Sequence, residues 1–371
     1  MLKAWQKLLR ENLGLKGTER LLVFTDRPPE GLGARERLRR LEPARLARQA
    51  ARAARAMGLE VRFCQFRATG GHAQEPPESL WRAAFGAQAV AALKDKGLFE
   101  PLRAKALGAK GLRQVREILR AHCQQAPQAV LALSYYSSSH TLFRGLLCGL
   151  CQSRYASMPL FDARMLHALD VDYHQMRHLG LRIKRALQEA VALRLTAPGG
   201  SELYLRKGTR AVKLDDGLLR RPGAFGNLPA GEVYFAPLEG TAQGRLVLYW
   251  APTRRLRSPV VLEIQDGMVK RLKGREPFVK ALKEQLAEHP FNANVAELGI
   301  GINPRARRLN NILESEKILG SVHVALGENS AFGGKTKAPF HQDFLLLRPT
   351  LWLIDSRGAQ RLLIKDGALE V

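Results

Sequence analysis

Acidic side chains are scarce in this chain: 34 aspartates and glutamates stand against 59 lysines and arginines in 371 residues, a formal charge of +25. Such a balance permits binding to phosphate or to acidic surfaces. Aromatic residues are also few, at 7%, and they are not interleaved with the basic ones as a stacking platform for single strands requires. The arginines Arg35, Arg37, Arg39, Arg40, Arg45, Arg48, Arg52 and Arg55 instead follow one helical stretch and read as a solvated face. Nucleic acid is therefore permitted by the charge but is not the expected main partner. No apolar run of about 18 residues occurs, which argues against a spanning helix. No apolar signal core follows the N-terminal Met1-Leu2-Lys3-Ala4-Trp5. A cytoplasmic protein without a membrane partner is expected.

Only four cysteines occur, Cys64, Cys123, Cys148 and Cys151, which does not suggest a disulfide scaffold. Cys148-Gly149-Leu150-Cys151 is a CxxC, but no second CxxC completes a zinc ribbon. Its flanks Leu146, Leu147 and Leu150 are apolar, so buried packing cysteines are expected.

At 371 residues two domains are the prior. Arg20–Asp26 is a short apolar run ending in a turn, as in a buried parallel strand. An Arg/Ala/Leu helix over 34–57 stops at Gly58, a strand follows at Leu59–Phe63, a helix at Leu112–His122, and another buried strand at Ala129–Ser134. Strands alternating with helices predict a doubly wound parallel sheet. A long helix is expected over His167–Leu195, closed by Pro198-Gly199-Gly200. Beyond it the texture changes to short β patterns at Leu203–Leu205, Leu246–Trp250, Val260–Ile264 and Met268–Lys270. They are split by turn signals such as Asp215-Asp216-Gly217 and Asp266-Gly267. Helices are expected over 275–287 and Asn310–Ile318. The predicted organisation is an α/β N-terminal domain over 1–195 and an α+β metal-binding domain over 196–371.

The residues with most chemical potential lie in the second half. His323 sits in a strand-like segment, and in His341-Gln342-Asp343 strand spacing puts His341 and Asp343 on one face. Glu232 follows the turn Pro229-Ala230-Gly231, and Glu297 stands among apolar and glycine positions, where a carboxylate needs a cation or several donors. Two imidazoles and three carboxylates suffice for a divalent metal, or for two ions sharing a bridge. Each residue alone is an ordinary core histidine or ion-paired acid. His174 and His178, spaced i, i+4 on a helix without an acidic partner, read as surface residues, and Tyr135–Thr141 reads as a helix N-cap region before Leu142.

Taken in order, NLPAGEVYFAP, AELGIGINP, ILESEKILGSVHVALG and HQD resemble the thermophilic aminopeptidase family, the aminopeptidase T and S group, in its short-form members. SYYSSSHT, DDGLLRRPGAFGNLPAGEV and PTLWLID fit the same pattern. The resemblance implies an N-terminal α/β domain, a C-terminal metal domain and a homodimer acting on peptide substrates. It implies two divalent ions (zinc, cobalt or manganese), with Glu297 bridging and Glu232, His323, His341 and Asp343 completing the ligands. Glu316 is the candidate general base. The chain departs from the family at Ser330, where a tyrosine commonly follows the HxALG motif, and the segment between His323 and His341 is short.

A second reading uses one metal. His323, His341 and Asp343 make a two-histidine, one-carboxylate set that suits non-haem Fe(II), and some relatives of this fold resemble ring-cleaving dioxygenases of dihydroxypyridines. A third reading is a non-catalytic scaffold binding through its basic surface.

Overall fold

A computed structural model describes residues 2–371, which form two compact units: residues up to Leu169 together with Gly217–Leu228, and Asp170–Asp216 together with Pro229–Val371. The first is α/β with a parallel sheet and the second is rich in antiparallel sheet, as the sequence predicts. The units divide ahead of the change in texture at 195/196.

The first unit holds a five-stranded parallel sheet in the order Glu60–Arg67, Arg20–Arg27, Ala129–Ala132, Arg154–Ser157, Phe225–Asn227. Six consecutive residues from Leu21 to Asp26 are buried, which is why this strand reads as an unbroken apolar run rather than an alternation. The helix Ala34–Arg55 buries Ala44, Leu46, Ala47, Ala50, Ala51, Ala53 and Ala54. An aromatic core of Phe24, Phe66, Trp81, Phe85, Phe143 and Tyr155 holds the unit together, with Trp81 and Phe143 ring centroids 5.1 Å apart. The hydroxyl-rich Ser137–Thr141 segment ends in the expected cap, Thr141 accepting from Arg144 N–H ahead of helix Leu142–Gly149.

The cysteines depart from expectation. Cys151 is joined to Cys123 in a disulfide, while Cys64 and Cys148 are free and buried. The pairing is invisible in sequence because Cys123, 28 positions away, meets Cys151 only after the chain folds. Closing a loop of that length is worth about 3–4 kcal/mol by loop entropy. Reduction, or Cys123→Ser, is expected to lower unfolding stability by about that amount in denaturant titration. A loss under about 1 kcal/mol would count against the linkage.

The second unit carries two antiparallel sheets. One has eight strands, in the order Met268–Lys273, Arg254–Gln265, Gln243–Ala251, Ser201–Arg206, Ala192–Ala197, Thr350–Ile354, Gln360–Lys365, Ala368–Leu369. The other has five: His341–Leu346, Val322–Gly327, Val295–Gly301, Glu232–Phe235, Lys213–Asp215. The long helix is shorter than predicted, Tyr173–Glu189, capped by the Asp172 carboxylate accepting from His174 and Gln175 N–H. Its expected last turns form the strand Ala192–Ala197, where pairing on both edges overrides local helical pattern. The helix predicted over Asn310–Ile318 is a single turn, Ile312–Ser315. Among the described residues no helix is long and apolar enough to cross a membrane.

Candidate metal centre

Four adjacent strands of the five-stranded sheet each place a polar residue on one face. Pairing sets Glu297 opposite Ala325 and Ala325 opposite Asp343; Tyr234 lies opposite Gly299 and Gly299 opposite His323; Glu232 lies opposite Gly301, and His341 opposite Gly327. Directly opposite residues share a face, and so do positions two apart along a strand. Glu232, Tyr234, Glu297, His323, His341 and Asp343 therefore project together. The positions between them are the small residues Gly299, Gly301, Ala325 and Gly327. The alternate positions Leu298, Ile300, Val322, Val324 and Leu326 are apolar and buried.

The small residues create the space. A side chain at Gly299 would overlap the imidazole of His323, and one at Gly301 would strike the backbone of Lys317 and Ile318. Gly327, at φ +105°, also lets the backbone turn beside Phe340.

Two groups of ligand atoms lie within 4.8 Å of one another, Glu232–Glu297–His323 and Glu297–His341–Asp343, with Glu297 common to both. His323 Nε2 is 3.3 Å from Glu232 Oε2 and 3.4 Å from Glu297 Oε1. His341 Nε2 is 3.7 Å from Glu297 Oε2 and 3.7 Å from Asp343 Oδ1. Its Nδ1 donates to the Glu328 carbonyl at 2.8 Å, which fixes the tautomer that leaves Nε2 free to ligate. His323 Nδ1 is buried without a hydrogen-bond partner among the described residues.

The structure thus brings together all five residues singled out as ligands, and Glu316 with them. Glu316 is not a solvated surface acid. It is 8% exposed, and its carboxylate lies 2.7 Å from the Lys317 ammonium. Lys317, 0% exposed, also lies 2.5 Å from Glu232 Oε1. Nearby, Glu314 turns away and accepts from Arg307 and Arg308 N–H.

The electrostatics are those of acids crowded out of water. Burial pushes Glu316 up to about 8, against the pull of Lys317. Burial likewise raises Glu297 despite its contact with His323. Burial opposes ionisation of Glu232 and Asp343, but Lys317 and His323 hold Glu232 low, and His341 above all holds Asp343 low. Burial would lower both imidazoles, yet the surrounding carboxylates outweigh it: His341 rises to about 10 and His323 well above its usual value. Lys317 is raised by Glu232, Glu316 and Asp215 against the same burial effect. In the absence of other cations, protons and one ammonium balance the acids. That is the environment a divalent cation fits, since buried carboxylates need compensating charge.

Three participants carried no sequence signal as site residues. A lysine beside two glutamates, as Lys317 is, reads as a solvated turn. Tyr234, two residues beyond Glu232, shares its face; burial and then Glu232 and Glu297 keep its phenol protonated. Phe332 packs edge-on against Tyr234, centroids 5.7 Å apart, and against His341 at 5.8 Å. Ser330 itself donates to Glu328 Oε1 at 2.5 Å. His174 and His178 are exposed on their helix, away from any metal group among the described residues.

A parallel-sheet unit and an antiparallel unit, the latter with a strand-built cage of histidines and carboxylates that could hold a metal, make up the fold seen in AmpT from Thermus thermophilus. That structure matches with a TM-score of 0.55 at 14% identity over 100% of this chain and 98% of its own. The chain belongs to the NicX family, 2,5-dihydroxypyridine 5,6-dioxygenase, whose model matches residues 168–369, more than half the chain and all of the cage. The 2,5-dihydroxypyridine 5,6-dioxygenase of Pseudomonas putida KT2440 is 24% identical over 191 residues, 47% of this chain and 54% of that protein, so the chain spans about half the length of the curated relative it matches. The solved 2,5-dihydroxypyridine dioxygenase from the same organism shares the fold, with a TM-score of 0.69 at 17% identity over 99% of this chain and 96% of that one.

These findings correct the aminopeptidase reading. The likeness to that group holds for the fold, while family and relatives are dioxygenases, so the hydrolase and protease assignment falls. The pair of zinc, cobalt or manganese ions rested on that assignment and falls with it. The physical reason for the misreading is that the cage-forming segments belong to the shared scaffold, and ligands alone do not separate hydrolysis from oxygenation.

Proposed function

We propose that this chain is a non-haem Fe(II) dioxygenase that opens the ring of a dihydroxypyridine, with 2,5-dihydroxypyridine as the first substrate to test. The observation that carries the reading is the family match spanning residues 168–369, which includes His323, His341, Asp343, Glu297 and Glu232. His323, His341 and Asp343 are the residues proposed to hold the ion, with Glu297 lying between the two imidazoles. A ferrous ion in such a set supplies the electron transfer that lets dioxygen react with a closed-shell ring.

The chain's own residues do the rest. The rings of Tyr234, Phe332 and His341 form an aromatic edge along the cage, against which a flat heterocycle packs. The Tyr234 phenol, kept neutral, donates a hydrogen bond to a hydroxyl oxygen of the substrate. Glu316, with its proton affinity near neutrality, takes up a proton from a substrate hydroxyl. Glu328 O holds the His341 tautomer. Burial of the sheet face limits water at the reacting ring.

Both atoms of dioxygen enter the product, so one dioxygen is expected per ring opened. With Fe(II) and air, loss of the 2,5-dihydroxypyridine ultraviolet band should track oxygen uptake one to one and stop under argon. An unchanged band in air, or equal loss without oxygen, would sink the proposal.

A further inference from the structure

Lys317 is buried to 0% exposure inside a cluster of acids, a placement that lysine almost never takes unless it is paired. Its ammonium lies 2.5 Å from Glu232 Oε1 and 2.7 Å from Glu316 Oε1. The other Glu232 oxygen faces His323 Nε2 at 3.3 Å. Glu232, Glu297 and His323 make one of the two possible metal groups, and Glu297, His341 and Asp343 make the other. The lysine therefore stands on the first group and not on the second.

The backbone secures it there. Asn303 N–H donates to the Lys317 carbonyl at 2.8 Å. Gly301 has no side chain to hold the Lys317–Ile318 backbone off the sheet, and an added Cβ would collide with it. Formal charges point the same way. Of the four carboxyl groups of Glu232, Glu297, Glu316 and Asp343, two, Glu232 and Glu316, already face the Lys317 ammonium.

We propose that Lys317 serves as a built-in cation in place of a second metal, limiting the cage to the one divalent ion held by His323, His341 and Asp343. A second ion drawn to Glu232 and Glu297 would have to share Glu232 with the ammonium. Like charges at such range repel strongly away from water, and a carboxylate oxygen held by an ammonium is a poor ligand. The inference rests on the cage holding a metal and extends that reading to stoichiometry. Lys317 acts through Glu232 and Glu316, as a positioning residue.

The experiment is anaerobic equilibrium dialysis of metal-stripped protein against Mn(II), a redox-inert probe, with bound metal measured per chain and electron paramagnetic resonance reporting coupled ion pairs. Wild type should saturate at one ion per chain even in millimolar Mn(II), without a coupled-pair spectrum. Lys317→Met should take up a second ion and show coupling, while Lys317→Arg should remain at one. Two ions in wild type would overturn the proposal, as would a folded Lys317→Met that still binds one. Should Lys317→Met fail to fold, Lys317→Gln is expected to admit the second ion; should both fail, wild type decides, one ion upholding the proposal and two overturning it. Ring cleavage by a two-ion wild type would remove this inference and leave the dioxygenase reading. A one-ion wild type that leaves the ring intact would do the reverse.

Discussion

His341→Ala is expected to empty the site of Fe(II) and to lower ring-opening turnover by about 100-fold or more. Removing partners that merely orient ligands costs about 10–100-fold, and His341 is placed as a ligand. Its Nε2 faces Glu297 and Asp343, and its Nδ1 is pinned to the Glu328 carbonyl. It is the imidazole grouped with both Glu297 and Asp343. The fold should survive, because His341 lies at the start of its strand and is only half-buried. Iron retained through gel filtration together with normal turnover in His341→Ala would take this residue out of the metal centre. His174→Ala, on an exposed helix face, should change neither quantity.

Gly299→Ala is expected to do comparable damage with a single methyl group. The added carbon would fall within the His323 ring. Gly299 does not occupy the left-handed region, so the effect is steric. Forcing a carbon into a packed site costs about 1–3 kcal/mol, and the relief available here is displacement of His323 from Glu232 and Glu297. Lower unfolding stability, lost metal and a turnover loss of about 100-fold should therefore appear together. Gly149→Ala, whose added carbon meets nothing within 4 Å, is the matched control and should retain metal. Normal metal content in Gly299→Ala would show that His323 is not held where the sheet register places it.

Much of this site is legible in one dimension. In Glu297-Leu298-Gly299-Ile300-Gly301 and His323-Val324-Ala325-Leu326-Gly327, polar or small residues alternate with apolar ones, so strand geometry alone puts the ligand candidates on one face. The His341-Gln342-Asp343 spacing does the same for the neighbouring strand. The parallel sheet of the first unit is legible from its unbroken apolar runs. The Ala192–Ala197 strand is not, because its helical-looking pattern is overruled by strands on both sides. The Cys123–Cys151 bridge is not, because proximity across a fold leaves no local trace. The peptidase assignment failed for a related reason: its motifs mark the scaffold that positions the cage, and they are silent about the chemistry run there.

By itself, then, the sequence determined which side chains share a face, where strands and helices alternate, and that a cation-seeking cluster lies in the second half. Only the tertiary structure decided that four strands from Glu232 to Asp343 lie side by side in the register that joins their ligands. Only it decided that Glu316 and Lys317 fold inward as a buried pair instead of lying on a wet helix turn. The reason is physical: side-chain alternation is a property of a local backbone, whereas burial, ion pairing and ligand distance depend on which remote segments become neighbours.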